Sequence, residues 1–279
     1  MYEGPEAVHI ARQDQKSEAN PNKAVRFELK FLMATAPARD TVTSPLNKLS
    51  SWGFPSILIA RYAKMKVSTL FDWQIECLTA QNGSVLYGNR HLIYSAPTSG
   101  GKTLVSEILM LRQLAQHISS HVEQHDQAQE KDAAPPAKRR HTIFFVVPFV
   151  ALAEEKACYF QDVWQDMNIG VKAFHGDGGD STGNMLSEDV EVAVCTIERA
   201  NILLTQLLDE GREDQLKMVV IDEIHMLADA QRGFLLEVML SKIKYLLNDS
   251  VQVVGMSATL PNIADLAGWL DAALYTTQY

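Results

Sequence analysis

The segment 96–103, Ala-Pro-Thr-Ser-Gly-Gly-Lys-Thr, constrains the fold of this chain more than any other part of the sequence. It follows the apolar residues 92–94, and apolar side chains recur after it at roughly 3.6-residue spacing. A strand, a loop of small residues and a helix are therefore expected in succession. In this arrangement, the backbone N–H groups of the loop and of the helix start form a site for phosphate groups. The segment predicts an α/β fold that binds a nucleoside triphosphate.

The residue types of this loop suit the phosphates of a nucleotide. Phosphates approach the backbone only where side chains are small, as at Ser99, Gly100 and Gly101. Lys102 is expected to neutralise charge on the β- and γ-phosphates, and Thr103 is expected to offer its hydroxyl to Mg²⁺. The positions predicted to contact the nucleotide are Ala96, Pro97, Thr98, Ser99, Gly100, Gly101, Lys102 and Thr103. A chance Gly-Lys-Thr turn that opens a helix is the alternative interpretation.

A second apolar run, residues 218–221, ends in two adjacent carboxylates, Asp222 and Glu223. Ligands of parallel α/β sheets bind at the carboxyl ends of the strands, where this pair is predicted to lie. Asp222 fits a residue that holds Mg²⁺, and Glu223 fits the base that orients and deprotonates an attacking water. Together with Lys102 they are the predicted catalytic residues. A strand that ends in a solvated acidic turn is the alternative.

Composition limits the class of protein. The 279 residues, of which 47% are hydrophobic, can bury a substantial core, and no apolar stretch is long enough to span a bilayer. The N-terminus lacks a secretory apolar segment, so a soluble intracellular protein with no membrane partner is expected. The net charge of −9 means that any polynucleotide must be held by a local track. Cys77, Cys158 and Cys195 lack metal-ligand spacing and are expected to be buried thiols.

Polarity and proline content divide the chain. Residues 1–44 are polar and contain several prolines, which predicts a flexible leader. Residues 45–279 are expected to form one domain. A polar, low-complexity segment at 117–141 predicts a disordered surface loop within that domain.

Apolar patterning predicts alternating strands and helices. Short apolar runs predict strands at 91–95, 142–147, 171–174, 190–195, 218–222 and 252–256. Helical periodicity occurs at 55–64, 72–81, 103–116, 150–166, 197–209, 233–247 and 262–270. The alternation predicts a parallel sheet with helices on both faces.

Seven motifs occur in order along the chain. They are 71–74 (Phe-Asp-Trp-Gln), 96–103, 147–156, 196–201, 222–225 (Asp-Glu-Ile-His), 232–233 and 257–262. In this order they resemble the first RecA-like domain, a P-loop NTPase domain, of a superfamily 2 helicase of the DExH type. Segments 50–55, 195–201 and 254–262 are most similar to the helicase-like domain of DNA polymerase theta and the related DNA repair helicases. The resemblance covers about residues 46–279.

The resemblance implies further roles around the nucleotide. Gln74 is expected to hydrogen-bond the adenine edge of ATP, with an aromatic or apolar residue near 52–54 packing on the base. A buried amide that caps a helix would look identical in sequence. His225, Ser257 and Thr259 are expected to couple the γ-phosphate to domain movement. Without the resemblance, Ser257 and Thr259 mark a small-residue strand end before a proline turn, and His225 is a polar loop residue.

The resemblance also implies contacts with one strand of DNA. The expected contacts are Pro148, Phe149, Thr196, Arg199 and Asn201. Thr196 fits a helix N-cap whose neighbouring amides face a phosphate, and such contacts hold a strand without reading its bases. Core packing of Phe149 and a solvated Arg199 are the alternative interpretations.

The function implied by the resemblance is the ATP-binding half of an ATP-dependent DNA helicase that acts in DNA repair in the nucleus and moves 3′ to 5′. A second RecA-like domain beyond residue 279 is expected to supply an arginine worth about 10³ to 10⁵ in rate. The chain alone is therefore expected to bind ATP and Mg²⁺, to hydrolyse ATP poorly and not to unwind DNA. An RNA helicase of the same superfamily and a nonhydrolysing ATP-switched interaction module are the alternatives.

Overall fold

In a computed structural model of the chain, the structure describes residues 46–97, 100–129, 141–176, 186–187, 189–247, 250–258 and 262–277, with only the backbone of 116–129. The predicted leader at 1–44 lies outside these residues. The described part forms an α/β domain with apolar core on both faces of one sheet. None of its helices is long and apolar enough to cross a membrane.

The described residues contain one sheet of seven parallel strands. The strands are β1 (Leu92–Ser95), β2 (Thr142–Val147), β3 (Val171–Phe174), β4 (Val192–Thr196), β5 (Leu216–Ile221), β6 (Gln252–Ser257) and β7 (Ala273–Thr276). Their order across the sheet is β3-β4-β2-β5-β6-β1-β7. The prediction of a parallel sheet is confirmed.

Helices cover both faces of this sheet, as predicted. They are α1 (Ser56–Lys64), α2 (Asp72–Tyr87), α3 (Lys102–Gln129), α4 (Val150–Trp164), α5 (Ile197–Asp209), α6 (Gly233–Lys242) and α7 (Ile263–Leu270). Successive side chains of a strand point to opposite faces. Phe145 and Val220 therefore join the core beneath α1 to α4, whereas Phe144 and Val219 join the core beneath α5 to α7.

Three elements differ from the sequence-based expectations. Helix α2, expected at 72–81, continues to Tyr87 across a kink at residues 80–83, whose backbone is not helical. Helix α3 continues to Gln129, so residues 117–129 of the expected disordered loop are helical, and 130–140 lie outside the described residues. Residues 117–129 are mostly polar and extend the helix without the apolar periodicity that would reveal it. Strand β7 was not predicted, because it is short and lies at the edge of the sheet, where half of its side chains are exposed.

The cysteines fit the expectation in part. Cys77 and Cys195 are buried, and burial raises the pKa of both thiols. Cys158 is exposed, so the expectation of a buried thiol is wrong there. It lies on the outward face of α4, between the buried residues Ala157 and Phe160. All three thiols are free.

The strand order brings three functional segments to one edge of the sheet. Strand β6 lies between β1 and β5, and neighbouring strands are about 4.8 Å apart. The loop after β1, the acidic pair after β5 and Ser257 at the end of β6 therefore share the carboxyl edge. The two predicted halves of the nucleotide site lie at the same place in the fold.

Candidate functional site

The described residues of the loop after β1, Ala96, Pro97, Gly100 and Gly101, are held by backbone hydrogen bonds or a constrained backbone. The N–H of Gly100 donates to the carbonyl of Pro97 (2.9 Å), and the N–H of Ala96 donates to the carbonyl of Ser257 (3.2 Å). Gly101 has a φ of +73°, a left-handed conformation that residues with a Cβ rarely adopt. Helix α3 begins at the next residue, and its first N–H groups have no helical partner. Thr98 and Ser99 lie outside the described residues.

Lys102 places a buried ammonium beside this loop. The residue is only 6% exposed, and the hydroxyl of Tyr94 donates to its backbone carbonyl (2.7 Å). The Nζ atom lies 3.8 Å from Oε1 of Glu223 and has no hydrogen-bond partner among the described residues. A buried ammonium without hydrogen bonds is costly, and phosphate oxygens would satisfy its donors. The residues present therefore fit a polyphosphate.

The acidic pair lies directly after β5. The N–H of Asp222 donates to the carbonyl of Val146 (2.8 Å), which fixes the pair against β2. Burial, followed by the neighbouring charge of Glu223, raises the pKa of Asp222. Glu223 has a left-handed backbone, with φ 57° and ψ 54°. This conformation is uncommon for a residue with a side chain, and such strain concentrates at functional sites.

Asp222 and Thr103 supply oxygen donors suited to Mg²⁺. Both side chains are partly exposed, and they lie at the carboxyl edge with Lys102. Among the described residues, no group of three or more His, Cys, Asp or Glu side chains could hold a metal ion. Protein sites for Mg²⁺ commonly use one or two carboxylates, with phosphate and water oxygens completing the octahedron. Asp222 and Thr103 fit a metal that is bound together with a nucleotide.

His225 connects the acidic pair to β6. Its Nδ1 lies 3.4 Å from Oγ of Ser257 and 3.0 Å from Oε2 of Glu223. The second contact is an ion pair when the imidazole is protonated, but it lacks the alignment of a hydrogen bond. Two of the three predicted coupling residues are therefore brought together with Glu223. The third, Thr259, lies outside the described residues.

Gln74 caps the start of α2 and holds the loop after β1. Its Oε1 accepts from the N–H of Phe71 (2.8 Å), and its Nε2 donates to the carbonyl of Gly101 (2.8 Å). Each amide atom keeps capacity for one further hydrogen bond. Trp52 and Phe54 are both 6% exposed and belong to the core, so neither ring is available to pack on a base. Phe71, which is 57% exposed, is the exposed aromatic residue next to Gly101.

The residues predicted to contact DNA differ in exposure. Phe149 is the N-cap of α4 and is 52% exposed, whereas Pro148 is buried. Thr196 is buried and caps α5 by accepting from the N–H of Arg199, which is itself partly exposed. Asn201 is buried, and its amide donates to the carbonyl of Leu235 (2.7 Å). Phe149 is thus the exposed member of the set, and Asn201 joins α5 to α6.

Arg232 joins the starts of α4 and α5. Its Nη1 donates to the carbonyl of Pro148, and its Nε lies 3.2 Å from Oε1 of Glu198. Its guanidinium carbon lies 5.2 Å from the centre of the Phe149 ring, which is a cation–π contact. Arg232 belongs to the motif at 232–233, but the sequence analysis assigned it no role. Lys156 was missed in the same way, although its charge lowers the pKa of Asp222.

Comparison with known proteins identifies the family. A family model described as DEAD/DEAH box helicase matches residues 78–266. The chain belongs to the DEAD/DEAH box helicase family. The resemblance to a superfamily 2 helicase is therefore confirmed.

Curated relatives of this helicase domain are much longer than the chain. DNA polymerase theta of Mus musculus is 41% identical over 245 residues, which are 83% of this chain and 8% of the relative. The helicase POLQ-like protein of Homo sapiens is 35% identical over 244 residues, 87% of this chain and 20% of the relative. The ATP-dependent DNA helicase Hel308 of Methanococcus vannielii is 31% identical over 191 residues, 68% of this chain and 22% of the relative. The chain thus spans less than a quarter of each.

Solved structures support the helicase fold. The helicase MrfA, in a crystal structure with DNA and AMPPNP, superimposes with a TM-score of 0.59 at 17% sequence identity. The match covers 81% of this chain and 29% of MrfA. At this identity the likeness concerns the fold alone, and it confirms the predicted RecA-like α/β class.

Proposed function

We propose that this chain is the ATP-binding part of an ATP-dependent DNA helicase that acts in DNA repair. The observation that carries the proposal is the buried ammonium of Lys102, which lacks a hydrogen-bond partner among the described residues and lies 3.8 Å from Glu223. A cation in that state, at the start of a helix and beside a glycine loop, suits a triphosphate. Membership of the DEAD/DEAH box family supports ATP as that triphosphate.

In this proposal each residue at the carboxyl edge has a separate task. The loop backbone at 96–101 and the Lys102 ammonium hold the triphosphate, while Gln74 contacts the adenine edge with its remaining hydrogen-bonding capacity. Asp222 and Thr103 hold Mg²⁺, which supplies positive charge against the phosphate oxygens when it is bound. Glu223 orients a water molecule and accepts its proton. Its strained backbone supports a role in chemistry rather than in folding.

His225 and Ser257 are proposed to report the state of the nucleotide. Ser257 accepts from the N–H of Ala96 through its backbone carbonyl, and its hydroxyl lies within hydrogen-bond distance of His225. A change in the charge near Glu223 would therefore alter the contact between His225 and Ser257 at the end of β6. Thr259, which follows in the sequence, is proposed to pass that change to a neighbouring domain.

A single DNA strand is proposed to lie along the starts of α4 and α5. Phe149 offers an exposed ring on which a base can stack, and Arg232 holds that ring in place from the start of α6. The capped N-terminus of α5 at Thr196 favours a phosphate near Arg199. DNA is favoured over RNA because the relatives include DNA polymerase theta and a DNA helicase.

Rapid ATP hydrolysis and DNA unwinding are proposed to need a second RecA-like domain. That domain is proposed to complete the cleft for the strand and to supply an arginine that stabilises charge during hydrolysis, an effect of about 10³ to 10⁵ in rate. We therefore propose that the 279-residue chain binds ATP but hydrolyses it slowly and does not unwind DNA. Movement from 3′ to 5′ and a nuclear location are parts of the same proposal.

Binding and turnover of the chain test this function. Equilibrium titrations with a fluorescent nonhydrolysable ATP analogue, and with matched single strands of DNA and RNA, are expected to show nucleotide binding and preference for DNA. Single-turnover hydrolysis with saturating DNA is expected to be slow. Tighter binding of RNA would favour an RNA helicase, and nucleotide binding with no affinity for either strand would favour an ATP-switched interaction module. Rapid, strand-stimulated turnover would contradict the need for a second domain.

A further inference from the structure

A buried carboxyl group, Glu107, lies one turn into the helix that follows the proposed phosphate loop, residues 96–101. The residue is 1% exposed. Its Oε2 accepts from the hydroxyl of Tyr62 in α1 (2.5 Å), and its Oε1 accepts from the hydroxyl of Tyr159 in α4 (3.0 Å). One side chain of α3 is thus hydrogen-bonded to two other helices. No step of the proposed ATP chemistry uses it.

The surroundings of Glu107 show that the fold tolerates a costly group there. Burial raises the pKa of this carboxyl to about 7, while the hydrogen bonds from the two tyrosines and the nearby charge of Lys156 lower it. Burial likewise raises the pKa of Tyr62 and of Tyr159. An apolar side chain would fill the space between α1, α3 and α4 without this penalty. A fully bonded polar group instead specifies one arrangement of the helices.

The position of Glu107 on α3 relates it to the phosphate loop. Residues four apart lie on the same face of a helix, so Glu107 lies directly below Thr103. Rotation of α3 about its axis would move Thr103 and Lys102 while breaking both tyrosine contacts. The bond from Tyr94 to the carbonyl of Lys102 fixes the same helix at its first residue. Glu107 and Tyr94 therefore hold α3 at two levels.

We propose that Glu107 is a positioning residue that fixes the rotation of α3 and so keeps Lys102 and Thr103 where they bind the nucleotide. The inference rests on the proposed function, because it assigns Glu107 a task only if these two residues hold ATP. Charge-assisted hydrogen bonds weaken steeply when distance or alignment is lost, so a modest rotation of α3 is expected to have a measurable effect on nucleotide affinity. Tyr159 belongs to the helix capped by Phe149, so the same contacts also connect the phosphate loop to the proposed strand site.

Nucleotide affinity of three variants, compared with one control variant, tests this inference. The dissociation constant of a fluorescent nonhydrolysable ATP analogue with Mg²⁺ is measured well below each variant's unfolding temperature. Glu107→Ala is expected to weaken binding about tenfold. Glu107→Gln keeps the shape and can bond both hydroxyls, its oxygen accepting from one and its NH2 group donating to the other, and is expected to stay within about threefold of the wild type. The double variant Tyr62→Phe/Tyr159→Phe preserves side-chain volume and is expected to resemble Glu107→Ala. Because this variant removes both hydroxyl contacts without leaving a cavity, it tests the same inference if Glu107→Ala fails to fold.

Gln252→Ala is the matched control. Gln252 is also buried and donates to two backbone carbonyls, of Val85 and Arg90, but it lies at the amino edge of the sheet. This variant is expected to lower thermal stability and leave nucleotide affinity unchanged. Wild-type affinity in Glu107→Ala or in the double tyrosine variant would overturn the positioning role while leaving the proposed function intact. Absence of nucleotide binding by the wild type would overturn both.

Discussion

The side-chain amide of Gln74 donates a hydrogen bond of 2.8 Å to the backbone carbonyl of Gly101. The same amide accepts from the N–H of Phe71 at the start of α2. A residue that the family resemblance assigns to adenine thus also braces the proposed phosphate loop, and the two interpretations of Gln74 are compatible. The fold links the base end and the phosphate end of the proposed site through one side chain.

Replacement of Gly101 by alanine is expected to damage this contact. Gly101 has a φ of +73°, and a Cβ there would lie 3.0 Å from Nε2 of Gln74. We expect Gly101→Ala to lower the free energy of unfolding by about 1–2 kcal/mol and to weaken nucleotide binding. Urea unfolding and an ATP-analogue titration measure the two effects. Gly268→Ala is the control, because a Cβ at that exposed position of α7 meets nothing within 4 Å. Equal stability of Gly101→Ala and the wild type would contradict the claim that only glycine fits position 101 without strain.

Glu223→Gln separates chemistry from binding. The amide cannot accept a proton from water, so single-turnover hydrolysis by a protein with both RecA-like domains is expected to fall by about a hundredfold or more. Nucleotide affinity is expected to stay close to that of the wild type. Glu237→Gln, an exposed glutamate in a separate pocket beside Trp269, serves as the control. Wild-type turnover in Glu223→Gln would rule out Glu223 as the base.

Phe149→Ala tests the proposed strand site. Loss of one base-stacking ring is expected to weaken single-stranded DNA binding about tenfold, since such stacking contributes about 1–3 kcal/mol per base. Fluorescence anisotropy with labelled DNA measures the change. Tyr245→Ala is a matched control, because Tyr245 is 70% exposed but lies in a pocket at the amino edge with His91 and Asp271. Equal losses in the two variants would place the strand elsewhere.

The buried Glu107 predicts a pH dependence of stability. Its pKa rises from an ordinary 4.5 to about 7 in the fold, so between these pH values the folded chain holds a proton that the unfolded chain releases. Protonated Glu107 therefore contributes to the free energy of unfolding. This contribution is fully present below about pH 4.5 and is lost as the pH rises through about 7. Within the part of the chain that the structure describes, Tyr62, Tyr159, Lys156 and Tyr94 are the titratable groups that interact with it.

The Glu107→Gln variant isolates this effect, because the amide mimics the protonated acid and does not titrate. From pH 5 to pH 8, the stability of the variant relative to the wild type is expected to increase by about 2–3 kcal/mol. Urea unfolding at both pH values measures it, and other titrating groups cancel in the difference. A constant difference between the two proteins would show that Glu107 does not carry a raised pKa.

Much of the fold was predictable because short apolar runs and helical periodicity are visible in local stretches of sequence. The six predicted strands all occur, since buried parallel strands are short apolar runs, and the helices from α4 to α7 start within a residue of their predicted positions. The end of α3 and the edge strand β7 were not predictable in the same way. Neither shows a regular apolar face, and β7 exists because β1 offers it a pairing edge.

The site was predictable where a motif concentrates its residues in a few positions. Lys102, Asp222 and Glu223 follow strands that tertiary structure brings to one edge, so their convergence was expected from the α/β pattern. The contacts of Glu107 and Arg232 could not be read from sequence, because each depends on helices distant along the chain. Asn201 was predicted from its motif to contact DNA, but in the structure its buried side chain joins α5 to α6.

Affinity of Lys102→Ala for nucleotide tests the central claim most directly. We expect a titration with a nonhydrolysable ATP analogue and Mg²⁺ to give a dissociation constant at least about tenfold higher than that of the wild type, because a charge-assisted contact contributes roughly 1.5–3 kcal/mol. Lys64→Ala, at an exposed lysine of α1, is expected to bind like the wild type. Equal affinity of Lys102→Ala and the wild type would contradict the assignment of the phosphate loop and the function built on it.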